Sequence, residues 1–133
     1  MNHRIDPHVT DLRIELPSNN DQSTVLRERL RAWCALHNCS RDLSDDVQLV
    51  ASELFSNAVR ATTDGSPVAM VVTLRGEWLD LEMINQGPRF DPDSLPVALP
   101  DGRGGRGIAI ARAVGEMTVT HNGGLTTVRV TIG

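Results

Sequence analysis

The chain has 133 residues, a length that suits one domain with its own hydrophobic core. Hydrophobic residues make up 40% and charged residues 23%, which is the composition of a globular protein rather than a disordered one. The 17 acidic side chains outnumber the 13 basic ones, and this balance argues against direct binding of nucleic acid. With two Trp, two Phe and no Tyr, the chain also offers little aromatic surface on which bases could stack.

The sequence shows no signal pattern at its start and no apolar run of bilayer length, so we expect a soluble, cytoplasmic protein without membrane contact. Residues 1–9 lack periodicity and are predicted to form a flexible arm before a single domain over residues 10–133. The two cysteines, Cys34 and Cys39, can be drawn with His37 as a metal cluster. We interpret them instead as buried or idle thiols.

The chain opens with one strand and one helix. Apolar and polar residues alternate over residues 11–16, which predicts a strand that Pro17 ends. Residues 18–21 supply N-cap candidates for a first helix, whose apolar stripe is predicted to contain Leu26, Leu30, Trp33 and His37. The arginines at positions 27, 29 and 31 lie largely off this stripe. They form either a solvated basic face or a docking face for an acidic partner.

A second helix follows a break at residues 38–42, with Ser44 as its predicted N-cap. Glu53 and Asn57 lie four residues apart and Arg60 follows three later, so this helix presents a carboxylate, an amide and a guanidinium along one stripe. Such a set is suited to holding a metal-bound phosphate beside an attacking hydroxyl group. The apolar residues of the helix recur at helical spacing and are predicted to be buried: Val47, Val50, Leu54 and Ala58.

A hairpin and a long connection come next. The hairpin is predicted from β-rich runs at residues 68–74 and 78–84, and residues 85–88 are predicted to end its second strand. Residues 88–102 contain four prolines and are interpreted as either a functional lid or a disordered segment.

The last quarter of the chain predicts an anion-binding turn and a second hairpin. A glycine-rich turn at residues 102–107 leads into a third helix at residues 108–114, whose N-terminus offers backbone N–H groups to an anion such as phosphate. Residues 116–121 and 125–132 then form a hairpin around an Asn-Gly-Gly turn at residues 122–124.

Together the elements predict five strands and three helices. The fold class is an α+β two-layer sandwich, in which a mostly antiparallel five-stranded sheet carries the three helices on one face. In this arrangement the Glu53–Asn57 stripe, the strand end at Asn85 and the helix start at residues 105–107 are expected to converge on one pocket.

The order of these three sequence boxes resembles the GHKL (Bergerat-fold) ATP-binding superfamily, which includes histidine kinases, gyrase and Hsp90. Within that superfamily, Ser52-Glu53-Leu-Phe-Ser-Asn57-Ala-Val-Arg60 resembles the bacterial anti-sigma-factor serine/threonine kinases of the RsbW-like type. The resemblance covers about residues 10–132 and includes Asn85-Gln-Gly87-Pro88 and the run at residues 104–110. It implies a histidine-kinase-like ATPase domain with ATP and Mg²⁺ as cofactors.

The resemblance also implies roles for the residues of the helical stripe. Asn57 would coordinate Mg²⁺ through its amide oxygen, since Mg²⁺ prefers hard oxygen ligands. Glu53 would be the catalytic general base, which takes the proton from an attacking serine hydroxyl or orients that hydroxyl. Arg60 would lie near the nucleotide or pair with an acidic neighbour.

On the other side of the pocket, the resemblance assigns nucleotide contacts to glycines, an isoleucine and a threonine. Gly87, Gly105 and Gly107 would let the backbone approach the nucleotide, and Ile108 would pack beneath it. Thr126 on the last strand would reach the adenine through its hydroxyl or a water molecule, or would be an ordinary sheet threonine.

Two positions depart from the family pattern Asp-x-Gly-x-Gly. Asn85 stands where the aspartate accepts a hydrogen bond from the adenine amino group, and it lacks the charge that makes such bonds roughly twice as strong. Its amide also adds a donor, which would tolerate a carbonyl group on another base. Arg89 replaces the second glycine, and Arg89, Arg103 or Arg106 would attract the phosphates.

The functional expectation is an ATP-dependent serine/threonine kinase that is also an anti-sigma factor. It would phosphorylate a small antagonist protein and sequester a sigma factor, and a homodimer is one assembly that the resemblance implies. The alternative is a regulatory binding module on the same fold, with weak or no catalysis and with reduced or altered nucleotide binding. A third possibility, an ATPase domain related to histidine kinases, is disfavoured because the sequence shows no phospho-acceptor helix domain.

Overall fold

A computed structural model describes residues 9–62, 64–86 and 114–133. Its elements are β1 (Val9–Leu16), a 3-10 turn (Asn20–Gln22), α1 (Ser23–Leu36), α2 (Arg41–Ala61), β2 (Val68–Arg75), β3 (Trp78–Gln86), β4 (Val114–Asn122) and β5 (Leu125–Ile132). The five strands form one sheet in the order β1-β2-β3-β5-β4, and every neighbouring pair is antiparallel. The predicted α+β class with a five-stranded antiparallel sheet is confirmed.

The helix count differs from the prediction. Two α-helices, rather than three, are present in the described part of the chain. The predicted third helix lies outside the described residues except for Val114, which begins β4. Val114 is opposite Ile132 and Glu116 is opposite Thr131, so the β4–β5 ladder continues past an irregularity at Gly115 and starts the strand two residues earlier than predicted.

Helix α2 also begins earlier than predicted, and its N-cap is Ser40 rather than Ser44. The Ser40 hydroxyl accepts a hydrogen bond from the backbone N–H of Leu43 at 3.1 Å, which satisfies one of the amides that a helix start leaves unpaired. Ser44 lies within the helix, where its hydroxyl accepts a bond from the Gln48 amide at 3.0 Å. The predicted break at residues 38–42 is therefore shorter, since Arg41 and Asp42 are helical.

The two helices bury the faces that their periodicity predicts. On α1 the residues Leu26, Leu30 and Trp33 are buried and His37 is half-buried, whereas the arginines at 27, 29 and 31 are exposed. On α2 the predicted apolar stripe is wholly buried. These residues form one core with the helix-facing side of the sheet, to which β3 contributes Leu79, Leu81 and Met83 and β5 contributes Val128, Val130 and Ile132.

Two tight turns set the register of the sheet. Gly123 and Gly124 join β4 to β5 with φ values of +61° and +84°, a pair of left-handed conformations that fits a type I′ turn and that glycine adopts without steric cost. Gly76, with φ +61°, opens the turn between β2 and β3. Strand β3 runs on to Gln86, so Asn85 belongs to the ladder and does not end the strand as predicted.

The predicted arm and lid fall mostly outside the described residues. Val9 is the first residue of β1, and residues 1–8 of the predicted arm lie outside the described residues, as does the predicted lid at residues 88–102. Cys34 is buried inside α1 and Cys39 lies just beyond it, both as free thiols. In the described ranges, neither helix combines the length and apolarity that crossing a bilayer requires.

Candidate functional site

A row of three polar residues crosses the sheet where the apolar core ends. Asn85 on β3 is opposite Thr126 on β5, and Thr126 is opposite His121 on β4. Asn85 lies two residues after Met83 on β3, and Thr126 lies two residues before Val128 on β5, so both point to the same helix-covered side of the sheet. We call Asn85, Thr126 and His121 the polar row. Its two buried members, Asn85 and Thr126, stand where the next layer of hydrophobic core would be, whereas His121 is exposed.

Burial makes the polar row unusual. Asn85 is 2% exposed and Thr126 is 1% exposed. The side-chain Nδ2 of Asn85 is buried and has no hydrogen-bond partner among the described residues. A buried donor without a partner costs on the order of 1–3 kcal/mol, and such groups usually have a functional explanation. The Asn85 amide is therefore a candidate contact for a bound ligand, because the apolar side chains around it cannot accept its hydrogen bond.

Asn57 supplies a second amide of the same kind. It lies on α2 and is 8% exposed, and its Nδ2 likewise has no partner within the described ranges. Helix α2 ends at Ala61 and β2 starts at Val68, whose next residue, Ala69, pairs with Ile84 beside Asn85. The last turns of α2 therefore lie at the same end of the sheet as the polar row. Asn57, Asn85 and Thr126 are the buried polar side chains of the described chain.

Arg60 is held by Asn57. Its guanidinium donates a hydrogen bond to Oδ1 of Asn57, one turn earlier on α2. In the structure the Arg60 guanidinium contacts a neutral amide, and its predicted contact with the nucleotide or an acidic neighbour stays a prediction. Because guanidinium groups only donate, this contact also fixes the amide orientation, with Oδ1 toward Arg60 and Nδ2 left over.

Glu53 lies one turn before Asn57 on α2. It is half-buried and lines an open groove of about 470 Å³ between the start of α1 and the middle of α2. The wall of this groove is mostly polar and is formed by Asn20, Ser23, Arg27, Gln48, Leu49, Ser52, Glu53 and Ser56. A carboxylate at the edge of such a groove can accept a proton from a hydroxyl group that enters from solvent.

His121 was not singled out from the sequence. Its Nδ1 lies 2.9 Å from the Thr126 hydroxyl, so one of the two groups donates to the other. The signal was present in the β4 pattern, because His121 follows Met117 and Val119 at the strand period of two. It became recognisable only once the two-residue turn fixed Thr126 as its cross-strand neighbour.

The remaining predicted site residues lie outside the described part of the chain. These are Gly87, Arg89, Gly105, Gly107 and Ile108, together with Arg103 and Arg106. The described half of the candidate site thus consists of the α2 residues Glu53, Asn57 and Arg60 and of the polar row.

Solved structures share this fold. The chain superposes on a Mycobacterium tuberculosis protein, the RsbU and RsbW domains of Rv1364c, with a TM-score of 0.70 and 22% identity, over 92% of this chain and 31% of that one. For the SiaB-SiaC complex from Pseudomonas aeruginosa the TM-score is 0.62 and the identity 14%, over 94% and 90% of the two chains. This chain thus spans about a third of the Rv1364c chain and nearly all of the matched chain of the complex.

A third neighbour is the histidine kinase domain of the blue-light activated kinase EL346 from Erythrobacter litoralis, with a TM-score of 0.51 and 17% identity over 87% of this chain and 60% of that one. At these identities the likeness concerns the fold. None of the curated protein sequences compared with the chain matches it. The family model of the histidine kinase-like ATPase domain matches residues 16–132, which is most of the chain. The chain therefore belongs to the histidine kinase-like ATPase domain family.

Proposed function

We propose that this domain binds ATP with Mg²⁺ and acts as a serine/threonine protein kinase of the anti-sigma-factor type. The observation that carries the proposal is the cluster of buried polar side chains at one end of the sheet. Asn57, Asn85 and Thr126 are buried, and the side-chain Nδ2 donors of Asn57 and Asn85 have no partner in the described residues. In a member of an ATPase-domain family, such a cluster is best explained as one wall of a nucleotide pocket.

The residues present fit both parts of that ligand. At the polar row, the Asn85 amide and the Thr126 hydroxyl are suited to the polar edge of a purine base. On α2, the Asn57 Oδ1 is a hard oxygen of the kind that Mg²⁺ prefers. A hydrogen bond from the Arg60 guanidinium fixes the orientation of this oxygen. When bound, Mg²⁺ would neutralise charge on the phosphates.

Glu53 would serve the protein substrate rather than the nucleotide. A serine side chain entering the groove between α1 and α2 would meet its carboxylate, which is partly open to solvent. In the transfer, the serine oxygen forms a bond to the γ-phosphorus, the bond from that phosphorus to the β,γ-bridging oxygen breaks, and ADP leaves. Glu53 would accept the hydroxyl proton.

The proposed protein partners are those of anti-sigma-factor kinases. We propose a small antagonist protein as the phosphorylation substrate and a sigma factor as the protein that the unoccupied kinase sequesters in the cytoplasm, with a homodimer as the proposed assembly. Two structural neighbours support these kinds of partner, since one carries an RsbW domain and the other is a complex of two proteins, SiaB and SiaC.

Calorimetry with ATP and Mg²⁺, followed by a phosphorylation assay, tests the proposal. We expect the wild type to bind ATP and to transfer label from γ-labelled ATP to a serine of an antagonist encoded beside it in the genome. Glu53→Ala should bind ATP with little change and fail to label the antagonist. Binding without any labelling of such substrates would remove the kinase activity from the proposal and leave nucleotide binding.

A regulatory module without catalysis is the second candidate, and two observations favour it. Asn85 is neutral, and the Asn57 oxygen is already engaged by Arg60. Under this alternative, the wild type would show no binding at millimolar ATP whereas Asn85→Asp would bind. The same titration therefore separates the two candidates.

A further inference from the structure

We propose that the polar row makes this site tolerant of the group at C6 of the purine, so that the 6-oxopurine nucleoside triphosphate ITP binds about as well as ATP, with Asn85 as the residue that sets this tolerance. The inference rests on the proposed nucleotide binding and names the ligand class of that site. It begins from the buried Nδ2 of Asn85, a hydrogen-bond donor that has no partner among the described residues.

The donor matters because the purines differ at the edge that such a group would meet. Adenine carries an amino group at C6 and an acceptor at N1. Guanine and hypoxanthine carry a carbonyl acceptor at C6 and an N–H at N1. A carboxylate can only accept, so it pairs with the amino group and repels the carbonyl. A side-chain amide has one donor and one acceptor side by side, and turning it by half a rotation matches either base.

The neighbours of Asn85 are adaptable in the same way. The Thr126 hydroxyl both donates and accepts, and its partner is the Nδ1 of His121 at 2.9 Å. When Nδ1 carries a hydrogen, His121 donates to Thr126 and the hydroxyl hydrogen is available to the ligand. When Nδ1 is bare, Thr126 donates to it and keeps lone pairs for the ligand. None of the three groups carries a fixed negative charge, so the row imposes no single pattern of donors and acceptors.

Burial increases the effect of the polar row on which purine binds. Asn85 and Thr126 are 2% and 1% exposed, so a base edge that meets them exchanges hydrogen bonds with little competition from water. A mismatched group would leave a buried polar atom unpaired, and sites of this kind reject such ligands strongly. An adaptable buried amide avoids that penalty for both classes of purine.

The test measures dissociation constants of ATP, ITP and GTP, each with Mg²⁺, for the wild type and for Asn85→Asp. For the wild type we expect ITP to bind within about tenfold of ATP. ITP carries the 6-carbonyl without the 2-amino group of GTP, so weak GTP binding beside good ITP binding reports a steric limit at C2 and still supports the inference. In Asn85→Asp the ratio of the ITP and ATP dissociation constants should rise by about tenfold or more, because a buried carboxylate faces the carbonyl.

Gln86→Glu is the matched control, because it makes the same amide-to-carboxylate change at the next residue, which is exposed and points to the other side of β3. It should leave the ratio unchanged. Wild-type protein that binds ATP but rejects ITP by a hundredfold overturns the inference even if Asn85→Asp fails to fold. Wild-type protein that binds none of the three nucleotides overturns both this inference and the proposed nucleotide binding, so the two failures are distinguishable.

Discussion

Arg60 donates a hydrogen bond to the Oδ1 of Asn57, the atom to which the family resemblance assigns Mg²⁺. The contact joins two members of the α2 stripe that the sequence predicted to act on one ligand. A carbonyl oxygen has two lone pairs, so Oδ1 can keep this bond and still face a cation. The arginine nevertheless places a positive charge beside the proposed metal position, and this leads to the first prediction.

Replacing Arg60 with methionine should make ATP binding require less Mg²⁺. In bulk water two like unit charges about 4 Å apart repel by about 1 kcal/mol, and more near a protein surface, so we expect the Mg²⁺ concentration at half-maximal binding to fall by roughly fivefold or more. Calorimetric ATP titrations over a series of Mg²⁺ concentrations measure the shift. Arg75→Met is the control, since Arg75 is an exposed arginine near the opposite end of the sheet and pairs with Asp80. Weaker ATP binding by Arg60→Met at every Mg²⁺ concentration would instead place Arg60 on the phosphates.

Glu53→Gln should separate chemistry from binding. The glutamine keeps the shape of the side chain at the wall of the α1–α2 groove but accepts protons poorly, so phosphorylation of the antagonist should slow by about a hundredfold or more. The ATP dissociation constant should change by less than about threefold. Initial rates with labelled ATP give the first quantity, and calorimetry gives the second.

Glu28→Gln, an exposed glutamate on α1 that does not line the groove, serves as the matched control for Glu53→Gln. It should phosphorylate at the wild-type rate. Equal rates for Glu53→Gln and the wild type would show that another group takes the serine proton.

Ser40→Ala should destabilise the fold by about 1 kcal/mol, because it removes the cap that holds the Leu43 N–H at the start of α2. Urea unfolding followed by circular dichroism measures the change as a lower midpoint with an unchanged slope. Thr24→Ala, at an exposed position on α1, is the control and should stay within about 0.5 kcal/mol of the wild type. An equally small effect of Ser40→Ala would mean that the Ser40 hydroxyl adds nothing to the helix start.

Stability should fall in alkaline solution because of Cys34. Burial is the main cause that raises the pKa of this thiol from 9.0 to about 12, and the neighbouring Cys39 thiol adds to it. The folded protein therefore holds the Cys34 proton more tightly than the unfolded chain does. The resulting stabilisation is complete below pH 9 and is lost as the pH rises toward about 12, at a slope of about 1 kcal/mol per pH unit.

Few other groups titrate in that alkaline window. The chain has no Tyr, and its 13 basic side chains are all arginine, which stays charged. Urea unfolding in reductant at pH 7, 9 and 10.5 measures the slope. Cys34→Ala should flatten the alkaline fall, whereas Cys39→Ala should keep most of it. An undiminished fall in Cys34→Ala would assign it to another group.

The sequence predicted much of the fold from local patterns. Alternation located β1, the β-rich runs and turns located the two hairpins, and helical spacing placed the buried stripes of both helices. The errors occurred where two local signals compete. Ser40 and Ser44 are both good caps, and Ser40 takes that position because its hydroxyl meets the Leu43 N–H while Ser44 pairs with Gln48. Local pattern assigns Val114 to the end of a helix, but in the structure it pairs with Ile132 and belongs to β4.

For the site, the sequence by itself determined the identity of the chemistry-bearing residues on α2 and the unusual amide at Asn85, because side-chain type and spacing along one element are local properties. Only the tertiary structure decided which of them meet. Strand pairing sets Asn85, Thr126 and His121 in one row. Packing buries the amides of Asn57 and Asn85, and the Asn57 Oδ1 accepts a hydrogen bond from Arg60. These relationships depend on strand register and on the packing of α2 over the sheet, which connect residues far apart in the chain, and no periodicity within a single element specifies them.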